Sequence, residues 1–352
     1  MSAALPVDVG AALREGVVIP AHPLALDAAG RLDERRQRAL SRYYLDAGAG
    51  GLAVGVHTTQ FAIREAGLLE PVLRIAADTV REAPRGRPVV LVAGVSGTTD
   101  QAVAEAKLAA DLGYHLAMVI LRGLAELTDD ELIAHISAVG EVLPVFGFYL
   151  QPAVGGRTLG FDFWARLAEL PCLAAIKIAP FDRYRTLDVV RAVCESSRAA
   201  EIALYTGNDD NIIVDLLTTY RFPVSGGQVS KRIVGGLLGQ YAVWTRRAVE
   251  LFEQAREAAR TGQLDEELLT TAARLTDANA AVFDVANGFA GCVAGIHEVL
   301  RRQGLLDNVR LLDEQERLSP GQAAELDRVV RACPDLQDDA FVAAHLDRWL
   351  DT

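Results

Sequence analysis

Short, continuous apolar runs alternate along this chain with longer stretches whose apolar residues recur at helical spacing. The runs occupy 16–20, 51–56, 88–94, 115–121, 144–149, 172–178 and 202–206, with a weaker one at 233–238. Between them the pattern predicts helices over 33–47, 63–81, 99–112, 128 onward, 161–170, 184–197 and 211–219, and a long one from near 241. Several helices carry start signals. Asp33 and Thr99 or Asp100 stand at cap positions, and Thr128 precedes Asp129, Asp130 and Glu131, acids that suit the positive end of a helix dipole.

Continuously apolar strands joined by helices imply a parallel sheet covered on both faces. Eight such units before about residue 260 fit a (β/α)8 TIM barrel. A doubly wound open sheet is the alternative. Residues 261–352 read as helical and strand-free, so the expected organisation is a barrel over 1–260 with a C-terminal helical extension over 261–352, packed on it.

Composition narrows the class. The net charge of −12 is spread along the chain and offers no basic patch, so no nucleic-acid partner is expected. Residues 1–15 lack the pattern of a signal peptide, and no apolar run is long enough to span a membrane; 226–244 comes nearest and is interrupted by Lys231 and Arg232. Four cysteines, Cys172, Cys194, Cys292 and Cys333, are widely spaced without a CxxC, which fits a reducing, cytoplasmic setting.

Lysine is scarce. Only Lys107, Lys177 and Lys231 occur among 35 basic residues. Compositional drift explains the rarity but not the place where one survives: Lys177 stands in the apolar run Ala174-Ala175-Ile176-Lys177-Ile178-Ala179. A buried ammonium is costly, and arginine cannot replace a lysine that must lose its proton to attack a carbonyl. Barrel sites form at the C-terminal ends of strands, which here carry His22, His57, Thr58, Thr59, Arg122, Tyr149, Lys177 and the 207–210 segment. Alternation along the fifth and sixth runs is expected to turn Tyr149 and Lys177 into the same barrel mouth. A neutral amine beside a phenol that shuttles protons is the equipment for forming a Schiff base.

At these residues the chain resembles a known family. Tyr149-Leu150-Gln151-Pro152 resembles the Tyr-Asn-x-Pro strand of the dihydrodipicolinate synthase/N-acetylneuraminate lyase family, Ala175-Ile176-Lys177 its Gly-x-Lys imine strand, and Thr206-Gly207-Asn208-Asp209 its Ser-Gly-(Asp/Asn)-Asp strand. The resemblance covers about residues 17–260, with a weaker echo at 287–305. It implies a lyase, an aldolase or dehydratase, in which Lys177 forms an imine with a 2-oxo acid such as pyruvate or a sugar-derived keto acid and Tyr149 relays the proton. It also implies no metal or organic cofactor and a homo-oligomer, dimer or tetramer. Arg157 is similar to the family arginine that binds a second carboxylate. The departures are equally plain. Gly55-Val56-His57-Thr58-Thr59-Gln60 stands where the family has Gly-Thr-Thr-Gly-Glu, and Leu121-Arg122-Gly123 where it has a tyrosine. The lysine-biosynthesis substrate is therefore not expected. His57, Thr58, Thr59, Arg122 and Arg157 are the candidate binding residues, and His57 with Arg122 favours an acidic substrate.

Other readings stay open: a metal-dependent barrel lyase or hydrolase using His22, His57 and an acid, or a non-catalytic module that binds keto acids. Asp209 and Asp210 read first as the cap pair of the following helix. Lys107 reads as a solvated helix residue, and Lys231 as a residue near the eighth strand that could meet an anion.

Overall fold

A computed structural model describes residues 4–82 and 86–351; the ends of the two expected regions, residues 1–3 and 352, lie outside it. The strands are β1 Val18–Pro20, β2 Gly51–Val54, β3 Val90–Val95, β4 Leu116–Val119, β5 Val145–Leu150, β6 Leu173–Ala179, β7 Ala203–Thr206, β8 Thr219–Val224 and β9 Gly227–Leu238. The helices are α1 Val7–Glu15, α2 Glu34–Ala47, α3 Leu69–Glu82, α4 Thr99–Asp111, α5 Asp129–Gly140, α6 Phe161–Ala168, α7 Arg183–Glu195, α8 Ile212–Leu217, α9 Thr245–Thr261, α10 Glu266–Val282, α11 Cys292–Arg302, α12 Gln322–Ala332 and α13 Asp339–Leu350.

Parallel pairing runs β1-β9-β7-β6-β5-β4-β3-β2, and a parallel bridge between Ala21 and Ala53 brings β1 back to β2. The result is the expected (β/α)8 barrel with a C-terminal helical extension. Two of the start signals act as read, whereas α4 is capped not by Thr99 or Asp100 but by Thr98, whose hydroxyl accepts from the Gln101 N–H at 3.4 Å. Asp33 accepts from the Arg36 N–H at 3.0 Å, and Thr128 forms a reciprocal capping box with Glu131.

Two elements lie outside the sequence reading. β8 and β9 form an antiparallel hairpin over Thr219–Arg232, and only the second half of β9 enters the barrel, where Ile233 pairs with Leu204. Lys231 sits on this hairpin and donates to the Ala199 carbonyl, so it is a structural contact. Helix α1 closes the N-terminal end of the barrel. Its Val9 and Leu13 join the interior cluster of Ile19, Val90, Val92, Leu116, Phe146 and Tyr205, and the Tyr205 hydroxyl donates to the Leu13 carbonyl at 2.9 Å.

The C-terminal helices share one apolar core with the outer face of the barrel. Tyr43 on α2 shows how the join is made. Its hydroxyl donates to Asp338 Oδ2 at 2.7 Å and accepts from the Thr245 N–H at 2.8 Å, while its ring packs 5.3 Å from Trp349. Asp338 accepts a second bond from the Arg246 N–H at 2.9 Å, and burial pushes its carboxyl above the usual range. Tyr43→Phe would leave a buried carboxylate one donor short and a buried N–H unpaired. We expect a loss of about 1–3 kcal/mol, read as a lower urea midpoint with an unchanged slope.

Candidate active site

Lys177 lies on β6 in register with Phe148 of β5 and Tyr205 of β7. Ala175 and Ala179, two residues to either side, belong to the barrel interior, so the lysine points inward near the C-terminal end of its strand. The residue is 9% exposed. The ammonium rests over the Phe148 ring, 4.5 Å from its centroid. Gly207, just past β7, makes room for it: a Cβ there would stand 2.6 Å from Lys177 Cε and 2.7 Å from Ala179 Cβ.

A chamber of about 60 Å³ opens above the lysine. Its walls are mostly apolar, with Ala21, Val56, Met118, Phe148, Leu150 and Val154 among them. Lys177 and Asp209 are the charged residues lining it, joined by His57, Thr58, Gln151 and Cys292. Phe283, Phe289, Cys292 and Ile296 form part of the lining, so the end of α10, the following loop and α11 roof the chamber. Phe181 and Phe289 meet edge to face at 5.7 Å, and both hold left-handed backbones, at φ 53° and 69°. Such conformations persist only where the surroundings impose them.

Asp209 does not cap α8; Asn211 occupies that position. Instead Asp209 Oδ1 accepts from the Gln240 N–H at 2.9 Å and the carboxylate faces the chamber. Its loop is clamped by α10, where Asn279 donates to the Asp209 carbonyl at 2.7 Å and Thr276 to that of Asp210 at 2.8 Å. Burial moves the two charged groups toward each other: it pushes the Lys177 amine below the usual lysine range and the Asp209 carboxyl above the usual carboxylate range. The charge of each partner opposes the other's shift.

Tyr149 is not in the chamber. It is in register with Ile178 and belongs to the strand–helix layer, with its ring 4.9 Å from Trp164. Its hydroxyl donates to the Leu159 carbonyl at 3.2 Å and accepts from the Leu159 N–H at 3.3 Å. The expected pairing with Lys177 is therefore corrected. Both phases of β5 are apolar, so alternation alone could not tell which faced inward. An irregularity then shifts the β5–β6 register, the partner of Val145 being Leu173 and that of Phe146 being Ala175. Phe148 takes the place beside the lysine.

The loop after β2 is also committed in part. Thr59 Oγ1 accepts from the Gly55 and Val56 N–H groups at 3.0 and 3.2 Å and donates to the His22 carbonyl at 2.7 Å. Thr59 is thus a loop brace. Thr58 reaches the same carbonyl at 3.3 Å but also lines the chamber. His57 lines both the chamber and an outer vestibule of about 400 Å³, where Arg122, Phe61, Asp313 and Glu316 also lie. Burial, reinforced by the charges of Lys177 and Arg122, lowers the His57 pKa to about 4, so the imidazole is neutral near pH 7. Arg122 stacks over Phe61, 5.4 Å from its ring centroid. Arg157 is in neither space. It donates to the Leu127 carbonyl at 2.8 Å and approaches Asp129 at 3.7 Å, tying two loops together.

His22 is buried, with Nε2 2.8 Å from Ser41 Oγ and Nδ1 2.8 Å from the Pro23 carbonyl. Both ring nitrogens serve the fold, which counts against the alternative reading of His22 and His57 as a ligand pair. Among the described residues no group of three His, Cys, Asp or Glu side chains is placed to hold a metal ion. A larger groove of about 480 Å³ lies beside the middle of β9, where the strand enters the barrel, between Glu15, Ile233, Phe252 and Arg256 and away from the strand ends that carry the lysine.

A parallel barrel holding a buried lysine near the C-terminal end of its sixth barrel strand defines a class, and comparison with known proteins places the chain within it. The model of the dihydrodipicolinate synthetase family matches residues 15–225, and the chain belongs to that family. A curated relative, the 4-hydroxy-tetrahydrodipicolinate synthase of Exiguobacterium sp., is 28% identical over 185 residues, 52% of this chain and 60% of the relative. The chain therefore spans somewhat more than half the length of that relative. Among solved structures, YagE, a prophage protein of the dihydrodipicolinic acid synthase family from E. coli K12 in complex with pyruvate, superposes with a TM-score of 0.74 at 20% identity, covering 92% of this chain and 99% of that one. CdNal from Clostridium difficile, in complex with mannosamine, gives 0.71 at 17% identity over 90% and 98%. At these identities the structural likeness speaks for the fold alone.

Gly207→Ala should destabilise the protein by about 1–3 kcal/mol through the forced contact with the lysine stem. Adding Lys177→Ala should recover part of the loss, a coupling of about 0.5–3 kcal/mol in a double-mutant cycle of urea unfolding. Strict additivity would place the lysine elsewhere.

Proposed function

We propose that this protein is a Schiff-base-forming lyase, an aldolase or dehydratase, acting on a 2-oxo acid, with Lys177 as the nucleophile. The observation that carries the reading is one inward-facing lysine at the base of a roofed, mostly apolar chamber. Burial disfavours its ammonium, and the neutral amine is the form that attacks a ketone carbonyl. Membership of the family supports the same chemistry.

The substrate differs from that of the dihydrodipicolinate synthases. Thr59 is spent on its own loop, and Arg157 on carbonyls and an acid outside the chamber. Two anion-binding candidates are thereby removed. Thr58 in the chamber, and Arg122 and neutral His57 at the vestibule, are left to receive a carboxylate. The same losses favour a second reading, a module that binds a keto acid without turning it over.

The test is borohydride reduction in the presence of pyruvate, 2-oxobutyrate or a sugar-derived 2-oxo acid, followed by intact mass and peptide mapping. A reduced adduct is expected on the Lys177 peptide and not on those of Lys107 or Lys231, and Lys177→Ala should abolish it. No adduct from any of these acids with folded protein would sink the imine reading. An adduct without release of product across a panel of aldehydes would favour the binding module.

A further inference from the structure

We propose that Asp209 is the acid–base partner of Lys177, moving the protons of imine formation that the outward-facing Tyr149 cannot reach. The inference rests on the imine reading above.

Forming an imine requires a group that gives and takes protons beside the amine. The phenol expected in that role is bonded to Leu159 on the far side of β5, and Phe148, which has no proton to give, lies under the ammonium. Among the chamber's lining residues the candidates are Asp209, His57 and Cys292. His57 is a weak base here, because burial and the charges of Lys177 and Arg122 oppose its protonation. Burial holds the Cys292 thiol protonated, and it is a poor acid. Asp209 is the remaining group. It is fixed by the Gln240 N–H, clamped through its carbonyl by Asn279, and shares the chamber with the lysine. Two other phenols are near. Tyr205, in register with Lys177, donates its hydroxyl to the Leu13 carbonyl at the N-terminal end of the barrel. Tyr241 is buried with a hydroxyl that has no protein partner. It packs behind Gly236, where a Cβ would stand 2.6 Å from its ring, and it does not line the chamber.

The protons balance with one carboxyl group. The neutral Lys177 nitrogen bonds to C2 of the 2-oxo acid, and the carbonyl oxygen takes the proton of the Asp209 carboxylic acid. The carboxylate then accepts a proton from the new ammonium nitrogen. Donating that proton to the carbinolamine hydroxyl expels it as water, as the nitrogen lone pair forms the C=N bond. The iminium cation is left beside the Asp209 carboxylate.

The pH dependence follows. Asp209 is faced by Lys177 from β6, Asp210 from its own loop, Tyr241 from the turn after β9 and Cys292 from α11; Lys177 is faced in addition by His57. The rate of borohydride trapping should rise with pH as the lysine loses its proton and fall as Asp209 loses its own, giving a bell. The Asp209 charge raises the lysine pKa. A carboxylate acting only as a counter-charge would therefore, on Asp209→Asn, leave more free amine and faster trapping near neutral pH. The acid–base role predicts the opposite: trapping of pyruvate slower by about 10²-fold or more, with the alkaline fall gone.

The experiment is the pH profile of pyruvate trapping on Lys177 in the full chain, wild type against Asp209→Asn, with Tyr241→Phe as control and Phe148→Tyr added to the Asp209 variant. Expected are the slow, one-limbed profile for Asp209→Asn, an unchanged bell for Tyr241→Phe, and partial rescue when Phe148→Tyr restores a phenol beside the lysine. Should Asp209→Asn not fold, Asp209→Glu keeps the acid one methylene further out and should retain the bell at a lower rate; a profile with the lysine limb alone would count against the proposal. Equal or faster trapping by Asp209→Asn, or loss of the bell in Tyr241→Phe, overturns it. If wild type traps neither pyruvate nor any of the other 2-oxo acids on Lys177, the imine reading fails first.

Discussion

Everything around the chamber answers to one constraint: an ammonium group has been taken out of water. Burial lowers the pKa of Lys177 and raises that of Asp209. The folded state thus favours the neutral form of each. The lysine's shift adds stability above its unfolded pKa of about 10.4, and that stability is lost as pH falls through the depressed folded value. The carboxyl's shift adds stability below about 3.9, and that stability is lost as pH rises through the elevated one. At neutral pH both groups weigh against the fold. The offsets are local: the Phe148 ring under the ammonium, the attraction of Asp209 across the chamber, and the Gln240 N–H on the carboxylate. Gly207 admits the lysine stem, and the large shared core of barrel and C-terminal helices carries the deficit.

Charge is sorted by depth. The inner chamber holds one lysine and one aspartate among apolar walls, whereas the vestibule holds Arg122, Asp313 and Glu316. His57 and Phe289 border both spaces. The outer charges are exposed and screened by salt, whereas the inner pair lies in a drier setting where each interaction is stronger. The neutral His57 imidazole at the junction adds no third charge to that pair.

Much of this was legible in the sequence. The barrel strands appear as apolar runs because a parallel sheet covered on both faces needs no alternation. That same property hid the phase of β5, where Val145 and Tyr149 are as apolar as Phe146 and Phe148, and a register shift removed the remaining cue. Lys177 was legible because a charge in such a run is conspicuous. Asp209 reads as a cap because an aspartate before a helix ordinarily is one, but the chain places Asn211 at that position and leaves Asp209 to accept from the Gln240 N–H. The hairpin has a signal in Gly226-Gly227, at φ 93° and 156°, but its strands lie outside the repeating strand–helix pattern that marks the barrel. Helix α1 is nine residues with a weak apolar face and gave little to find. The roof from Phe283 to Ile296 joins residues more than a hundred positions from Lys177, and no local pattern carries that.

The roof has a bearing on how the chain acquires its chemistry in time. Synthesis runs from the N-terminus, and domains generally take shape in that order. The segment bearing Phe283, Phe289, Cys292 and Ile296 is made more than a hundred residues after Lys177. The cover over Lys177 therefore comes from residues far along the chain, and the enclosure of its side chain belongs to the completed fold and not to the barrel strands alone.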